Sequence, residues 1–221
     1  MSNAGFPFGS VRALHLAGSK VRALRVTYVG ELGWELHVPT EFAVTLYEAL
    51  MAAGASEGIV NAGYRAIESL RLEKFYRAWG SDIGPDYTPL EAGLGWAVKD
   101  RKDIAFIGDA AIRRQRGEVL KKRLCCFTVD DPSAVLIGRE TILRNGERVG
   151  WLSSGGFGHT NGRAIGLGYV RHADGVTDAF LDSGSYTLEI ATAMVPCRLH
   201  RAPLYDPTMT RIKAIAAHDT P

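Results

Sequence analysis

Apolar positions recur at helical spacing through much of the first half of the chain and at strand spacing through the second. Val21 to Val29 and Trp34 to Val38 are apolar runs separated by Gly30-Glu-Leu-Gly33, a pattern that predicts an antiparallel strand pair joined by a short hairpin. Trp34, Leu36 and Val38 alternate with Glu35 and His37, so Glu35 is expected to face away from the core. Pro39-Thr40 introduces a helix over Glu41 to Ala53, with Thr40 as N-cap, Gly54 as the left-handed C-terminal residue, and Phe42, Ala43, Leu46, Tyr47, Leu50 and Met51 on its inward face. A second helix is expected from Ala62 to Trp79, opened by Asn61 and closed by Gly80, with Ala66, Ile67 and Leu70 inward. Its stripe fails after Leu70. Glu73 and Lys74 take apolar positions there, and Phe75, Tyr76 and Trp79 gather aromatics. A Glu73 to Arg77 pair one helical turn apart with ordinary aromatic packing accounts for this, and such a group of rings also suits a flat heterocyclic ligand.

Thr88 to Val98 is expected to return to the sheet as part of an α+β sandwich, and Lys99 to Asp103 reads as a charged connector. From Leu124 onward short β-branched segments, Leu124 to Val129, Glu140 to Arg144, Arg148 to Ser153, Ala164 to Val170 and Ser185 to Ile190, are punctuated by Gly, Asp, Asn and Ser. They predict a small antiparallel barrel or Greek key, with Arg144-Asn-Gly-Glu147 as a hairpin turn.

Composition narrows this picture mainly by exclusion. The 221 residues, 46% hydrophobic and 23% charged, are those of an ordinary globular chain of one large or two modest domains. Lys plus Arg total 26 against 24 for Asp plus Glu, and a net charge of +2 exerts no general pull on nucleic acid or an anionic membrane. The cations between Arg113 and Arg123 read as a solvated helix end and linker. Cys125, Cys126 and Cys197 form neither a CxxC pair nor an even disulfide framework, which points to a reducing, cytoplasmic setting. In the strand Leu124 to Val129, alternation sends one of Cys125 and Cys126 inward and leaves the other near the surface. No apolar run approaches roughly 18 residues, and the N-terminus has no basic segment followed by an apolar stretch, so neither a membrane span nor a secretory signal is expected.

The chain carries no phosphate-binding GxxxxGK[ST], no HExxH, no GxSxG elbow and no paired histidines at metal-ligand spacing, so no metal site is expected. Gly93-Leu-Gly95 lacks the third glycine of a dinucleotide fingerprint. Ser153 to Gly162 offers backbone amides that suit an anion, or serves as a flexible connection between barrel strands.

Four ordered motifs carry a family resemblance. Tyr28-Val-Gly-Glu-Leu-Gly-Trp-Glu35, Ala62-Gly-Tyr-Arg-Ala-Ile-Glu-Ser-Leu-Arg-Leu-Glu-Lys74, Trp79-Gly-Ser-Asp-Ile83 and Thr88-Pro-Leu-Glu-Ala-Gly-Leu-Gly-Trp96 resemble the aminomethyltransferase (T-protein) family of the glycine cleavage system. They are most similar to the folate-binding C-terminal region of dimethylglycine and sarcosine dehydrogenases. Phe106-Ile-Gly108, Gly150-Trp-Leu-Ser-Ser-Gly155 and Ile165-Gly-Leu-Gly-Tyr169 extend the likeness, which runs from Phe6 to Leu204.

The resemblance implies an α+β fold: a partial T-protein folate-binding domain over 1–118, an antiparallel sheet with packed helices, then a Greek-key β-barrel over 119–210 and a tail over 211–221. It implies a tetrahydrofolate site that accepts a one-carbon unit from a small methylated amine or an aminomethyl carrier. Tyr28 and Glu35 match in identity and spacing two family residues that contact the pterin, and a carboxylate suits the adjacent N–H and amine donors of a pterin edge. Tyr76 and Trp96 fall at further aromatic folate contacts. A ligand-holding family Arg aligns with Ile67; Arg65 is the nearest substitute, two residues earlier and about 200° around a helix. Arg71 matches a structural position. The family's catalytic Asp belongs to an N-terminal portion with no counterpart here, so no catalytic residue is assigned and this chain by itself is expected to be inactive. Flavin (FAD) would belong to a separate N-terminal domain of a fused dehydrogenase. The competing class is a non-enzymatic folate-binding or partner-docking module. A related iron–sulfur and tRNA-modification family carries Lys-Gly-Cys where this chain has Glu73-Lys-Phe75.

Overall fold

The computed structural model of the chain describes residues 5–99 and 104–213. By contact density it divides into two compact units: the described parts of Met1–Glu68 and Asp206–Pro221 form one, and Ser69–Tyr205 the other. The boundary expected at 118/119 falls inside the second unit, and most of the Lys99 to Asp103 connector lies outside the described residues.

The first unit is built on a three-stranded antiparallel sheet in the order β1 (Val11–Leu16), β2 (Ser19–Leu24), β3 (Glu35–His37). The strand pair expected across Gly30 to Gly33 exists as β2 and β3, but residues 25–34 between them form an irregular loop rather than a short hairpin. Arg25 explains the difference. Its side chain is 1% exposed, donates to the Phe6 and Ile212 carbonyls at 3.0 and 3.3 Å, and lies 4.7 Å from the Trp34 ring. A buried cation needs such partners, and reaching them draws the chain off the ladder. Within the loop Thr27 Oγ accepts from the amides of Val29 and Gly30, and Gly30 takes a φ of +78°, which closes a tight turn under Tyr28.

Helix α1 (Ala43–Ala53) is preceded by a 3-10 turn, Thr40–Phe42, and Thr40 makes no side-chain cap. Gly54 is right-handed, at φ −89°; the left-handed residue is Gly58. A Cβ on Gly54 would stand 2.8 Å from Ile59 Cβ, so close approach is what requires glycine there. Of the expected inward face only Leu46 is buried; Phe42, Tyr47 and Leu50 are exposed. Helix α2 (Tyr64–Glu73) is shorter at both ends than its pattern. Asn61 does not cap it but donates to the Tyr47 hydroxyl.

The end of α2 opens the second unit. The amide of Tyr76 returns to the Arg71 carbonyl, and Phe75 takes the left-handed conformation (φ +56°) that glycine usually supplies at such an end. Burial of the Phe75 ring offsets the strain. The predicted aromatic group therefore disperses: Phe75 is buried, whereas Trp79 is 76% exposed. Thr88 to Val98 forms no strand. Thr88 and Glu91 bond each other's backbone amides, and a 3-10 turn follows at Gly95–Ala97. Helix α3 (Asp109–Arg116) precedes the barrel, and its last turn carries Arg113, Arg114 and Arg116, the helix end expected of these cations. Lys122 and Arg123, read as linker, open the first barrel strand.

Six strands close the barrel: β4 (Lys122–Val129), β5 (Thr141–Arg144), β6 (Glu147–Gly158), β7 (Arg163–Arg171), β8 (Tyr186–Ile190) and β9 (Ala193–His200), in the order β4-β7-β6-β5-β8-β9. β5 to β7 form a meander and β4 lies beside β7, a Greek-key arrangement closed by β9 pairing back to β4. Asn145 and Gly146 both have positive φ, as the predicted Asn-Gly turn requires. The short helix α4 (Asp178–Asp182), capped by Thr177, joins β7 to β8.

Two apolar clusters form on opposite faces of β4 and β7. One holds Cys125, Phe127, Val129, Ala164, Val170 and Leu188; the other holds Leu72, Phe75, Leu124, Cys126, Ile165, Leu167 and Tyr169. Strict alternation is thus preserved, but both faces are covered, so Cys126 is as buried as Cys125 rather than near the surface. Burial pushes the Cys125 thiol up to about 12 and raises that of Cys126 further. Interior glycines make room: a Cβ on Gly166 would stand 2.3 Å from Leu152 Cδ1.

Candidate functional site

In the first unit, strand register fixes where Glu35 points. Glu35 sits opposite Leu24 and His37 opposite Arg22, and with Ala13 and Lys20 these residues share one face of the sheet. The other face carries the fully buried Val21 and Ala23. Glu35 is therefore on the open face, as alternation predicted, and its carboxylate lies 3.6 Å from His37 Nε2 with both side chains more than half exposed. His37 and Arg22, together with Ala13, Lys20, Val21, Val38 and Pro39, line a cavity of about 490 Å³ that, like the one described below, includes none of the five predicted contacts. An exposed acidic group with basic neighbours can accept hydrogen bonds from a polar heterocycle while keeping its charge balanced.

Tyr28 stands on the 25–34 loop that leads into the same strand, and is 38% exposed. One connection therefore displays both residues. Arg65 lies in the first turn of α2 and is exposed. Ile67, at the position of the family Arg, is half-buried on the same helix.

Tyr76 and Trp96 belong to the second unit. Tyr76 is half-buried, and both of its backbone groups are held by Arg71: its amide donates to the Arg71 carbonyl at 2.9 Å, and its own carbonyl accepts from Arg71 Nη1 at 3.1 Å. Trp96, in the 3-10 turn, is 79% exposed and free of core duty. Gly93-Leu-Gly95 runs through a turn into that 3-10 turn, not from a strand into a helix as a dinucleotide site would need.

The second unit also holds buried charge that local pattern did not reveal. Arg71 and Asp82 pair at 2.7 Å, with side chains 2% and 0% exposed. The Asp82 carboxylate further accepts from the Ala78 amide and from the hydroxyls of Ser153 and Ser154, and Arg71 Nη2 donates to Ser154. Tyr169, stacked on Tyr87 with centroids 4.1 Å apart, donates its hydroxyl to the Asp82 carbonyl. Burial raises the Tyr169 phenol above its usual value, so it remains a donor. The amides of Thr160 and Asn161 and the Asn161 side chain converge on Glu73 Oε1 at 2.7, 3.0 and 3.2 Å. The Ser153 to Gly162 segment does hold an anion, and the anion is the chain's own Glu73. This replaces the surface pairing of Glu73 with Arg77; Arg77 donates instead to the carbonyls of Phe75 and Ala92. A second cavity of about 340 Å³ is lined by Arg77, Glu91, Arg123 and Arg201 among others and contains none of the five predicted contacts.

Two family models match the chain in order: the GCVT N-terminal domain over residues 1–102 and the glycine cleavage T-protein C-terminal barrel domain over residues 122–206. Human mitochondrial sarcosine dehydrogenase is 43% identical over 217 residues, covering 97% of this chain and 24% of that protein. The mitochondrial pyruvate dehydrogenase phosphatase regulatory subunit of Mus musculus is 38% identical over 182 residues, 77% of this chain and 21% of that one. The crystal structure of glycine cleavage system aminomethyltransferase T from Bartonella henselae superposes with a TM-score of 0.74 at 28% identity, over 85% of this chain and 50% of that chain. The chain thus spans about a quarter of the length of the sarcosine dehydrogenase it matches.

Proposed function

Because the chain belongs to the glycine-cleavage T-protein family of folate-dependent one-carbon-transfer enzymes, we propose that it carries part of a tetrahydrofolate site in which Glu35 and Tyr28 contact the pterin. The observation that carries this reading is Glu35 itself: a carboxylate on the open face of a sheet, seven residues after an exposed Tyr on the connection that leads into its strand. Glu35 would accept the N–H donors of the pterin edge and Tyr28 would bound the ring. Tetrahydrofolate, when bound, supplies the nitrogens that accept a one-carbon unit. The donor would be a methylated amine or an aminomethyl carrier, by analogy with the sarcosine dehydrogenase and aminomethyltransferase it resembles.

Titration of tetrahydrofolate into the chain under anaerobic conditions, followed by calorimetry, tests the reading. Loss of one charge-assisted pair of bonds, about 1.5–3 kcal/mol, corresponds to roughly a 10- to 150-fold weaker Kd for Glu35→Gln. Unchanged affinity in Glu35→Gln would remove Glu35 from the site.

A second reading, a non-enzymatic docking module, is favoured by the likeness to a phosphatase regulatory subunit and by the exposed Val44, Tyr47 and Leu50 of α1 with Phe42 of the turn before it. It predicts no saturable tetrahydrofolate binding in the wild-type chain.

A further inference from the structure

The cavity of about 340 Å³ within the second unit has one cationic wall and one apolar wall. Arg77, Arg123 and Arg201 form the first, and Phe75, Leu90 and Val176 belong to the second. Each arginine is held in place by the protein. Arg77 lies 4.3 Å from the Phe75 ring centroid and donates to the Phe75 and Ala92 carbonyls. Arg123 uses Nη1 alone, on the Val176 carbonyl and on Asp178 at 2.6 Å. Arg201 reaches the other Asp178 oxygen through Nη1 and Asp182 through Nη2.

Those contacts leave donors over. Among the described residues, Nε and Nη2 of Arg123 and Nε of Arg201 make no hydrogen bond to the protein. Nε and Nη2 of a guanidinium form an edge that can grip both oxygens of a carboxylate. The carboxylates nearby are already engaged: Glu91 accepts from the Thr88 amide and lies 3.6 Å from Lys122, while Asp178 bridges two arginines. With Lys122 and Asp182 included, four cations meet three carboxylates, an excess of one positive charge. Burial lowers the Arg77 pKa from its ordinary value, a cost that an anion beside it would offset. Gly93 keeps the space open, since a Cβ there would stand 2.8 Å from Arg77 Nη2.

We propose that this cavity binds a small monoanion, a carboxylate on an apolar body, with the Nε–Nη2 edge of Arg123 and Nε of Arg201 on its oxygens and Phe75, Leu90 and Val176 against its body. One carboxylate matches the one positive charge in excess. Inorganic phosphate would leave the apolar wall without a partner, and a neutral amide would lack the charge that assists both bonds. None of the residues assigned to tetrahydrofolate lines the cavity, and tetrahydrofolate plays no part in the site.

The test is a heteronuclear NMR titration of the full 221-residue chain with 3-phenylpropionate, its neutral amide 3-phenylpropionamide, and inorganic phosphate. The site predicts saturable shifts confined to amides around the cavity, Gly93, Leu120 and Val176 among them, with a Kd for 3-phenylpropionate of about 1 mM or tighter. 3-Phenylpropionamide should bind at least about tenfold more weakly. Arg123→Lys keeps a cation for Asp178 but loses the forked edge, so it should weaken 3-phenylpropionate about tenfold while the thermal midpoint moves little. Arg201→Lys loses a single donor and should weaken it roughly threefold. Equal binding of acid and amide, unchanged affinity in both lysine variants, or shifts that do not saturate overturn the site. Tighter binding of phosphate than of 3-phenylpropionate also overturns it, because the apolar wall would then contribute nothing. Should Arg123→Lys not fold, Arg201→Lys and the comparison of acid with amide in the wild-type chain decide.

Discussion

Replacing Glu73 by Ala is expected to destabilise the second unit by roughly 2–4 kcal/mol. The Glu73 side chain is 1% exposed and its Oε1 accepts three N–H donors from the β6–β7 turn. One buried methylene, Cγ, is lost, at about 0.8 kcal/mol. The donors lose a charged acceptor, which is worth about 1.5–3 kcal/mol; only one such loss is counted because Thr160 is exposed and water can replace part of it. Glu73→Gln keeps an acceptor at Oε1 and places an amide where Oε2 is buried without a partner, so it should cost less, about 1–2 kcal/mol. Guanidinium unfolding at constant slope gives both numbers, and faster amide exchange at Thr160 and Asn161 would locate the effect. Equal losses for Ala and Gln, or a loss below about 1 kcal/mol for Ala, would refute the assignment of this stability to the cradled carboxylate.

Gly150→Ala should cost at least about 3 kcal/mol or abolish soluble expression, because its Cβ would stand 1.9 Å from the Tyr169 carbonyl oxygen, a backbone atom that cannot swing away; denaturant midpoints or the soluble yield check it. The Asp178 carboxyl is held below its ordinary value of 3.8 by hydrogen bonds from Arg123 and then Arg201. Its contribution is therefore present above that value and lost as pH falls through the lowered one, so Asp178→Asn should lower stability modestly at neutral pH, leave it nearly unchanged below the lowered value, and so flatten the acid limb of a stability–pH profile. Burial raises all three thiols, those of Cys125 and Cys197 to about 12, so none should react with iodoacetamide at pH 8 in the native chain, and all three should react in denaturant, as intact mass would show.

The barrel was legible because its signals are local. Alternation, the Asn145-Gly146 turn and the spacing of Gly and Ser marked five of its six strands. The sixth, β9, contains Pro196, which ordinarily argues against a strand; its pairing with β4 begins only at Arg198, so Pro196 has a neighbour on one side alone. Strand β1 carries no such signal: Arg12 and His15 interrupt its apolar run, and its residues are largely exposed. The end of α2 misled for a different reason. Glu73 read as a surface residue, yet its partners lie 87 and 88 residues away, and Arg71 reaches Ser154 across 83. No window of helical length contains such partners. Cys126 belongs to the same class: alternation was right, but the cover supplied by Leu72 and Phe75 on the second face is a tertiary fact.

This contrast separates the two kinds of residue within the family likeness. Arg71, Glu73 and Lys74 look like a charged helical motif, but each is committed elsewhere: Arg71 to Asp82 and Ser154, Glu73 to the β6–β7 turn, and Lys74 to the Tyr205 ring at 5.7 Å. Buried charges so engaged are costly to redirect toward a ligand, since each would leave its present partner unpaired in a low-dielectric setting. Glu35 differs in the respect that matters for binding. It is exposed, its nearby ion partner is a single exposed histidine, and recruiting it would leave no buried group unsatisfied. Substitutions in the Arg71 to Lys74 run should therefore show first in stability and those at Glu35 first in affinity, and the same pair of assays on both sets separates the scaffold from the site.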